Sequence, residues 1–277
     1  MRKYDEVLLK CKVCDSEKIY KYHYDINGNS IYICGDCKVQ FMNPQYTDEY
    51  LNDYYSKYTK DEPQWDEPLS YGHNFYLSLI EKYTTSKGTL LDVGCGKGHL
   101  LKEAKKRGWE VFGYDVDCKS TEYFSKKHNI KMFCGDFEKI KWESNSFNLV
   151  SMHQVFEHLK NPLSQLQIIN SILIEGGLLF IVIPNIKSLS SIIKFRLEKL
   201  GFRKKDIGKY YDTSHHLFYY EPKTLKNILI KHGYKILHLR SGHKVRPHQS
   251  MLKRKFLRNF SEKIAWKSTF LIIARKQ

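Results

Sequence analysis

A glycine-rich stretch directly after a short apolar run is the feature that most limits how this chain can fold. Residues 90–93 are mainly apolar, and glycines follow at positions 94, 96 and 98. Residues 100–107 then form an amphipathic stretch. This order predicts a β-strand, a tight loop and an α-helix. Because glycines at such a turn allow positive φ angles and close approach of a ligand to the backbone, the sequence predicts an α/β fold with a ligand site here.

Two familiar phosphate-binding loops do not fit this stretch. The dinucleotide fingerprint needs its third glycine at position 99, where the chain has His99. A P-loop needs Gly-Lys-Ser or Gly-Lys-Thr, but Lys97 is followed by Gly98. Neither a dinucleotide loop nor a P-loop is therefore expected.

The pattern that does fit, Asp-x-Gly-x-Gly-x-Gly beginning at Asp92, resembles motif I of the class I S-adenosylmethionine-dependent methyltransferases. The resemblance implies a Rossmann-like α/β fold with a seven-stranded sheet. In that family the acid fixes the loop and the methionine amine, which is the role implied for Asp92. The loop implied to run under the methionine part of the cofactor comprises Gly94, Cys95, Gly96 and Gly98. A glycine-rich turn in another α/β fold is the alternative.

Two further acids follow predicted strands. Asp115 ends the apolar run after motif I, and a carboxylate there can accept hydrogen bonds from both ribose hydroxyls. Its neighbour Val116 is included in the predicted cofactor site, and a solvated acid at a strand end is the alternative for Asp115. The resemblance implies that Asp136 meets the adenine amino group and that Phe137 packs on the ring.

The candidate catalytic residues follow a predicted fourth strand over residues 147–152. The segment from His153 to Pro162 resembles one in small-molecule and sugar methyltransferases, including those of ubiquinone biosynthesis. Side chains beyond the carboxyl ends of strands face the ligand in open α/β sheets. A hydroxyl acceptor loses a proton on methylation, and the ordinary pKa of histidine suits His158 as the base, with Glu157 beside it.

Other histidines are further candidates. His153 is placed with the cofactor site, although a structural role is favoured for it. His216 belongs to a second stretch, His-His-Leu-Phe-Tyr-Tyr-Glu-Pro, that resembles a motif of the same methyltransferases. Some quinone O-methyltransferases hold a divalent metal with Glu-x-x-Glu-His. Because Gln154 occupies the first of those positions, metal dependence is not expected there.

The cysteine spacing near the N-terminus predicts a second kind of site. Two C-x-x-C pairs, Cys11 with Cys14 and Cys34 with Cys37, have the spacing of a four-thiolate zinc site. Between them, two predicted strands are joined by an Asn-Gly turn at residues 27–28. Four thiolates leave the metal no open position, so a structural zinc ribbon is expected. Two disulfides are the alternative, which an expected cytoplasmic location disfavours.

Bacterial methyltransferases with an N-terminal zinc ribbon resemble this chain in the order of their segments. The domains predicted on that basis are a zinc ribbon at 1–45, a Tyr-rich helical linker and cofactor lid at 46–86, and a methyltransferase domain at 87–277. An insertion at about 186–221 is expected to cover the substrate. Within the last domain, a helix starting at Pro162 is predicted to end at the glycine pair 176–177, with a strand over 178–183 and a basic helix over 187–203.

The charge balance favours anionic partners. The chain of 277 residues has 46 Lys and Arg against 30 Asp and Glu, a formal net charge of +16. This surplus favours a phosphorylated acceptor, with nucleic acid or an acidic membrane surface as alternatives. The basic stretch between Ser241 and Ser268 is a solvated loop or a patch that binds an anionic substrate or a membrane surface. No apolar run is long enough to span a membrane, and Met1 to Lys10 lacks a signal-peptide core, so a cytoplasmic protein is expected.

These patterns together predict a methyltransferase that uses S-adenosylmethionine and carries a structural zinc ion. The leading acceptor is a small or sugar-type molecule, such as a nucleotide- or lipid-linked sugar of cell-surface polysaccharide synthesis. Methylation of RNA or protein is a second hypothesis. A zinc-ribbon binding module with an inactive methyltransferase fold is a third, and the intact acids and glycines of the cofactor motifs argue against it.

Overall fold

A computed structural model describes residues 2–25, 27–58, 71–202, 210–241 and 268–277. Residues 60–69, for which Pro63 and Pro68 predict a loop, lie outside these ranges. So do residues 203–209 of the predicted insertion and the basic stretch between Ser241 and Ser268. The described residues form one seven-stranded and one four-stranded sheet with flanking helices. Within these ranges, no helix is both long and apolar enough to cross a bilayer.

Eleven strands and seven helices can be numbered along the described residues. The strands are β1 Ile19–Tyr24, β2 Ser30–Cys34, β3 Gln40–Met42, β4 Thr89–Val93, β5 Glu110–Asp115, β6 Lys131–Cys134, β7 Phe147–His153, β8 Leu173–Pro184, β9 Phe218–Tyr219, β10 Tyr234–Ser241 and β11 Thr269–Lys276. The helices are α1 Asp48–Tyr58, α2 Tyr71–Ile80, α3 His99–Lys106, α4 Cys118–His128, α5 Pro162–Ile172, α6 Leu189–Lys199 and α7 Pro222–Lys231.

The large sheet confirms the predicted Rossmann-like architecture. Its strand order is β10-β11-β8-β7-β4-β5-β6. Strands β4 to β8 run parallel, whereas β11 is antiparallel to both of its neighbours. The chain leaves β4 toward β5 and β6 and later returns to β7 on the other side. The switch point between β4 and β7 is where ligands bind in open α/β sheets.

The central strands are apolar on both faces because helices cover both sides of the sheet. In β8, the run from Leu178 to Ile183 is no more than 2% exposed at any residue. Helix α3 turns Leu100, Leu101 and Ala104 onto the sheet, and its polar residues face outward. Burial of these apolar stripes fixes the glycine loop at the carboxyl edge of β4.

Several predicted boundaries of helices and strands were wrong. Helix α5 ends at Ile172 instead of reaching the glycine pair 176–177, and β8 begins at Leu173, five residues earlier than predicted. The reason is tertiary, because Leu173 pairs with Phe147 of β7 in extended conformation. The basic helix is also shorter than predicted: α6 begins after Ser188, whose side chain accepts a hydrogen bond from the Ser191 N–H.

The four-stranded sheet joins the cysteine-bearing segment to a distant part of the chain. Its order is β1-β2-β3-β9, so Phe218 and Tyr219 add a fourth strand to the N-terminal hairpin and β3. The Tyr211 hydroxyl donates to Gln40 Oε1 at 2.6 Å, and the Tyr46 hydroxyl donates to the Thr213 carbonyl at 2.8 Å. The segment that ends in β9 is therefore held by the ribbon.

Candidate functional site

The glycine loop after β4 has the backbone conformation expected from its sequence. Gly94, Gly96 and Gly98 all have positive φ, at 71°, 48° and 62°. A Cβ atom at Gly94 would lie 2.3 Å from a methyl carbon of Val155, and one at Gly98 would lie 2.2 Å from the ring of Phe124. Side chains at these two positions are thus excluded by packing as well as by φ. The contact at Gly94 also shows that the segment after β7 lies against the loop.

Asp115 ties the glycine loop to the end of β5. One carboxylate oxygen accepts a hydrogen bond from the Gly96 N–H at 2.8 Å, and the other accepts from the Asp117 N–H at 3.2 Å. Burial raises the pKa of Asp115, and these backbone hydrogen bonds oppose that effect. The adjacent Val116 is 47% exposed and offers an apolar surface beside the acid. This arrangement fits an adenosine group placed at the end of β5.

Asp92 lies inside the sheet, beneath the loop. It is 5% exposed and accepts a hydrogen bond from the Ser151 hydroxyl of β7 at 2.5 Å. Burial raises the pKa of Asp92 to about 7, and the Ser151 hydrogen bond acts in the opposite direction. A buried acid at the switch point fits a cationic ligand group.

Asp136 and Phe137 have different surroundings although they are adjacent. The Asp136 carboxylate accepts from the Glu138 N–H at 3.1 Å and pairs with Lys139 at 3.1 Å, and the side chain is half-exposed. Phe137 is 3% exposed because its ring packs 4.9 Å from both Tyr114 and Trp142. Asp136 therefore faces outward at the cofactor edge, and Phe137 belongs to the aromatic core beneath it.

Helix α2 packs over the end of β7. The His153 ring lies 5.9 Å from His73 and 5.2 Å from Tyr76, both on α2. Burial lowers the pKa of His153 to about 4, so this ring is neutral at pH 7. Sequence reasoning missed His73 and Tyr76, because only the tertiary packing of α2 brings them to this edge.

Glu157 and His158 lie in a short 3₁₀ turn, residues 156–158, directly after β7. Glu157 is 1% exposed, and among the described residues neither of its carboxylate oxygens has a hydrogen-bond partner. The nearest charged-group contact is His158 Nε2, at 3.8 Å. Burial raises the pKa of Glu157 to about 8, whereas burial and then the neighbouring His216 lower the pKa of His158 to about 3. The ordinary histidine pKa used in the sequence argument does not apply here.

The structure brings His215 and His216 against His158. The rings of His158 and His215 stack at 4.8 Å, and His216 lies 4.7 Å from His158 at a steep angle. Helix α1 closes this group from above, with the Tyr54 hydroxyl 3.0 Å from His215 Nδ1 and the Tyr55 ring edge-on to His158. The sequence named His158 and His216 separately, but only the fold shows that they are neighbours.

A cavity of about 150 Å³ lies beside this histidine group. The polar and aromatic side chains that line it include Glu157, Asn185, Tyr210, Asp212, His216 and Tyr219. Among the described lining residues there is neither lysine nor arginine. The wall is therefore rich in hydrogen-bonding groups, with Glu157 and Asp212 as its acids and His216 as its basic side chain.

The four cysteines of the N-terminal segment converge as their spacing predicts. All four sulfur atoms lie within 4.8 Å of one another, with 3.7 Å between Cys11 and Cys37 and 3.5 Å between Cys14 and Cys34. Tetrahedral zinc with Zn–S bonds of about 2.3 Å separates its sulfur ligands by about 3.8 Å. The cluster therefore fits a structural zinc ion.

A disulfide joins Cys118, at the start of α4, to Cys134, at the end of β6. Nothing in the local spacing of these cysteines predicts the bond. They meet because Asp115 and Cys134 pair across β5 and β6.

Comparison with known proteins agrees with this architecture. Residues 69–239 match a family model described as a methyltransferase domain. The chain is 29% identical over 120 residues to a ubiquinone biosynthesis O-methyltransferase of Coxiella burnetii, which covers 41% of this chain and 51% of the relative. It is 32% identical over 111 residues to a ribosomal protein L11 methyltransferase of Campylobacter concisus, covering 34% and 39% respectively. The chain thus spans about half, or less, of the length of these curated relatives.

Solved structures share the fold at low sequence identity. An S-adenosylmethionine-dependent methyltransferase of Archaeoglobus fulgidus aligns with a TM-score of 0.52 at 21% identity, over 73% of this chain and 92% of that one. One from Mesorhizobium loti aligns with a TM-score of 0.51 at 16% identity, over 72% and 96%. Since the family model covers more than half of the residues, including the glycine loop, Glu157 and the histidine group, the chain belongs to the methyltransferase-domain family.

Proposed function

We propose that this chain is an S-adenosylmethionine-dependent methyltransferase acting on a hydroxyl group of a small, sugar-like acceptor. The observation that carries the proposal is the juxtaposition of two sites at the switch point of the sheet. A glycine loop held by Asp115 lies on one side, and Val155 links it by direct contact to the turn that carries Glu157. Glu157 in turn lines the cavity.

The residues around the loop fit the parts of the cofactor. Asp115 supplies a carboxylate for the ribose hydroxyls, Val116 an apolar surface for the adenine, and Asp92 a buried acid for the methionine amine. The proposed cofactor residues also include Cys95, Asp136, Phe137 and His153. When bound, the cofactor supplies an electrophilic methyl group. The chain's own part in the reaction is to hold the acceptor hydroxyl in line with that group, and orientation of this kind contributes several kcal/mol.

The composition of the cavity favours a neutral, polyhydroxylated acceptor. The Asp212 carboxylate can accept hydrogen bonds from hydroxyl groups, and the Asn185 amide can both donate to them and accept from them. The rings of Tyr210 and Tyr219 supply apolar faces for a sugar ring. A phosphate inside this wall would meet acids, so the phosphate of a nucleotide- or lipid-linked sugar would lie outside it. Such an acceptor would place the reaction in the cytoplasm.

Glu157, in its ionised form, is the residue proposed to accept the hydroxyl proton, and its raised pKa of about 8 means that this form predominates only above about pH 8. It lines the cavity and is buried, and its two carboxylate oxygens have no hydrogen-bond partner within the described part of the chain. General-base assistance of this kind typically contributes about 10²–10⁴-fold to the rate. His158 lies beside it, at 3.8 Å, on the same turn.

Calorimetric titration with S-adenosylhomocysteine, followed by methyl transfer from labelled S-adenosylmethionine, tests the proposal. Asp115→Ala should weaken binding by at least about tenfold, because charge-assisted hydrogen bonds contribute about 1.5–3 kcal/mol each. Glu122→Ala, which removes an exposed acid from α4, is the matched control and should bind like the wild type.

The acceptor is then sought among free, nucleotide-linked and lipid-linked sugars, with tRNA and ribosomal protein as comparison substrates. Methylation of a sugar hydroxyl supports the proposal. Absence of cofactor binding by the wild type, or equal affinity in Asp115→Ala, contradicts the enzymatic assignment. Transfer only to RNA or protein contradicts the acceptor class.

A further inference from the structure

Three histidines from two distant segments converge beside the cavity. His158 follows β7, whereas His215 and His216 precede β9. Each offers a ring nitrogen, and the three nitrogens lie within 4.8 Å of one another. All three side chains are half-buried. Imidazole groups gathered in this way are the usual ligands of divalent first-row transition metals.

Hydrogen bonds orient two of the rings in the manner of metal ligands. His158 Nδ1 lies 3.1 Å from the His215 carbonyl and can donate to it, which leaves Nε2 to bind an ion. His215 Nδ1 lies 3.0 Å from the Tyr54 hydroxyl and 2.9 Å from the Ser214 hydroxyl. Metal-binding histidines commonly use the second ring nitrogen for such a hydrogen bond, because it fixes the tautomer and the ring plane.

The buried Glu157 side chain is an independent indication of a cation. Its carboxyl group is 1% exposed and has no hydrogen-bond partner among the described residues, while one oxygen lies 3.8 Å from His158 Nε2. A buried carboxyl group without a partner is costly. A divalent ion held by the adjacent imidazoles would supply the missing positive charge.

We propose that His158, His215 and His216 bind one divalent transition-metal ion, with zinc as the first candidate and Glu157 offsetting its charge. Nitrogen ligands around tetrahedral zinc are about 3.4 Å apart for bonds of about 2.1 Å. Starting from separations of up to 4.8 Å, pairs of nitrogens need to approach each other by up to about 1.4 Å, and the nearly parallel rings of His158 and His215 need to rotate so that both nitrogens face the ion. The ligand set differs from Glu-x-x-Glu-His, so Gln154 does not exclude it.

The role of the ion, though not its binding, rests on the proposed function. Three imidazoles leave a coordination position open. His216 and Glu157 both line the cavity, so that position is available to an acceptor oxygen. A metal ion that binds a hydroxyl oxygen lowers the hydroxyl pKa and orients it for attack.

The test measures metal on the full-length, zinc-loaded chain, without cofactor or acceptor. After removal of loosely bound metal, elemental analysis in the presence of buffered Zn²⁺ should give two ions per chain. Titration with Co²⁺, with zinc retained by the four cysteines, should give visible d–d bands without thiolate-to-cobalt charge-transfer absorption.

His215→Ala and His216→Ala should each lower the stoichiometry to one ion and abolish the thiolate-free cobalt spectrum. His232→Ala, which removes a histidine at the end of α7, should retain two ions. A wild-type chain that holds one ion, or takes up cobalt only with thiolate absorption, overturns the proposal without reliance on any variant. Retention of the second ion by both histidine variants also overturns it.

Cofactor binding by the same preparations separates this inference from the proposed function. A chain that binds S-adenosylhomocysteine but only one metal ion refutes the histidine site alone. A chain that binds two ions but no S-adenosylhomocysteine refutes the methyltransferase proposal and supports the metal site.

Discussion

At the residue scale, the glycines of the cofactor loop are not equivalent to glycines elsewhere. Gly94→Ala places a methyl group 2.3 Å from a Val155 methyl carbon at a φ of +71°, so the loop or the turn carrying Glu157 must move. We expect a lower unfolding midpoint and at least about tenfold weaker S-adenosylhomocysteine binding, because the loop backbone is displaced. Thermal unfolding and calorimetry measure these two effects.

The matched control for this substitution is Gly108→Ala. Gly108 also has a positive φ, at +86°, but a Cβ atom there meets nothing within 4 Å. Gly108→Ala should lower the free energy of unfolding by about 1–2 kcal/mol, because alanine is less stable than glycine in a left-handed backbone conformation. It should leave the affinity for S-adenosylhomocysteine unchanged. Equal effects of the two substitutions on affinity would show that the Val155 contact has no role.

Asp92 predicts a pH dependence of stability in the ligand-free chain. Burial raises its folded-state pKa from 3.8 to about 7, so between these pH values the folded chain holds a proton that the unfolded chain has released. The contribution of Asp92 to the free energy of unfolding therefore falls as pH rises through this window. Asp92→Asn should remove that fall, about 3–4 kcal/mol for a pKa raised from 3.8 to about 7, because an amide does not ionise.

Urea unfolding at about pH 4.5 and about pH 7.5 measures this contribution. Between these two pH values, the free energy of unfolding should fall more in the wild type than in Asp92→Asn. An identical change in both proteins would show that Asp92 has the same proton affinity in the folded and unfolded states.

At the element scale, β9 joins the ribbon to the wall of the cavity. Phe218 and Tyr219 pair with β3, the Met42 N–H donates to the Leu217 carbonyl at 2.9 Å, and the Leu217 N–H donates to the Glu157 carbonyl at 3.0 Å. A continuous series of backbone contacts therefore leads from the ribbon to the turn that carries Glu157. A zinc ion held by the four cysteines would stabilise this segment.

Loss of the ribbon zinc should therefore impair acceptor turnover more than cofactor binding. Cys14→Ser should lower the zinc content and the rate of methyl transfer by at least about tenfold, while the glycine loop, which lies in the large sheet, continues to bind S-adenosylhomocysteine. Lys18→Ala, an exposed change in the same segment, is the control. Parallel loss of both functions would show that the two sheets fold as one cooperative unit.

At the scale of the whole molecule, the chain has a large positive net charge, whereas the described wall of the cavity contains acids. The chain carries a formal net charge of +16, yet the described cavity wall contains Glu157 and Asp212 and neither lysine nor arginine. A phosphate-bearing part of the acceptor would therefore be attracted by the general positive field and bound outside the wall. The domain boundaries at 45 and 86 and the cytoplasmic location remain predictions.

The sequence by itself determined the features whose chemistry lies within one short segment. Spacing along the chain predicts the strand, glycine loop and helix around Gly96. It also predicts the acid at the end of β5 and the two cysteine pairs. The Rossmann-like fold with a seven-stranded sheet followed from the resemblance of the glycine-rich stretch to motif I, and the structure confirms it. The roles of the individual site residues stay predictions, although the structure shows where each lies.

Features that depend on contacts between distant segments became known only from the fold. The start of β8 at Leu173 follows from pairing with Phe147, and the fourth strand of the ribbon sheet comes from Phe218 and Tyr219. Folding of the 210–220 segment against the turn after β7 brings His158 beside His215 and His216. The same packing buries Glu157 and so raises its pKa. Spacing along the chain does not encode these features, because burial and proximity arise only when the two sheets pack together.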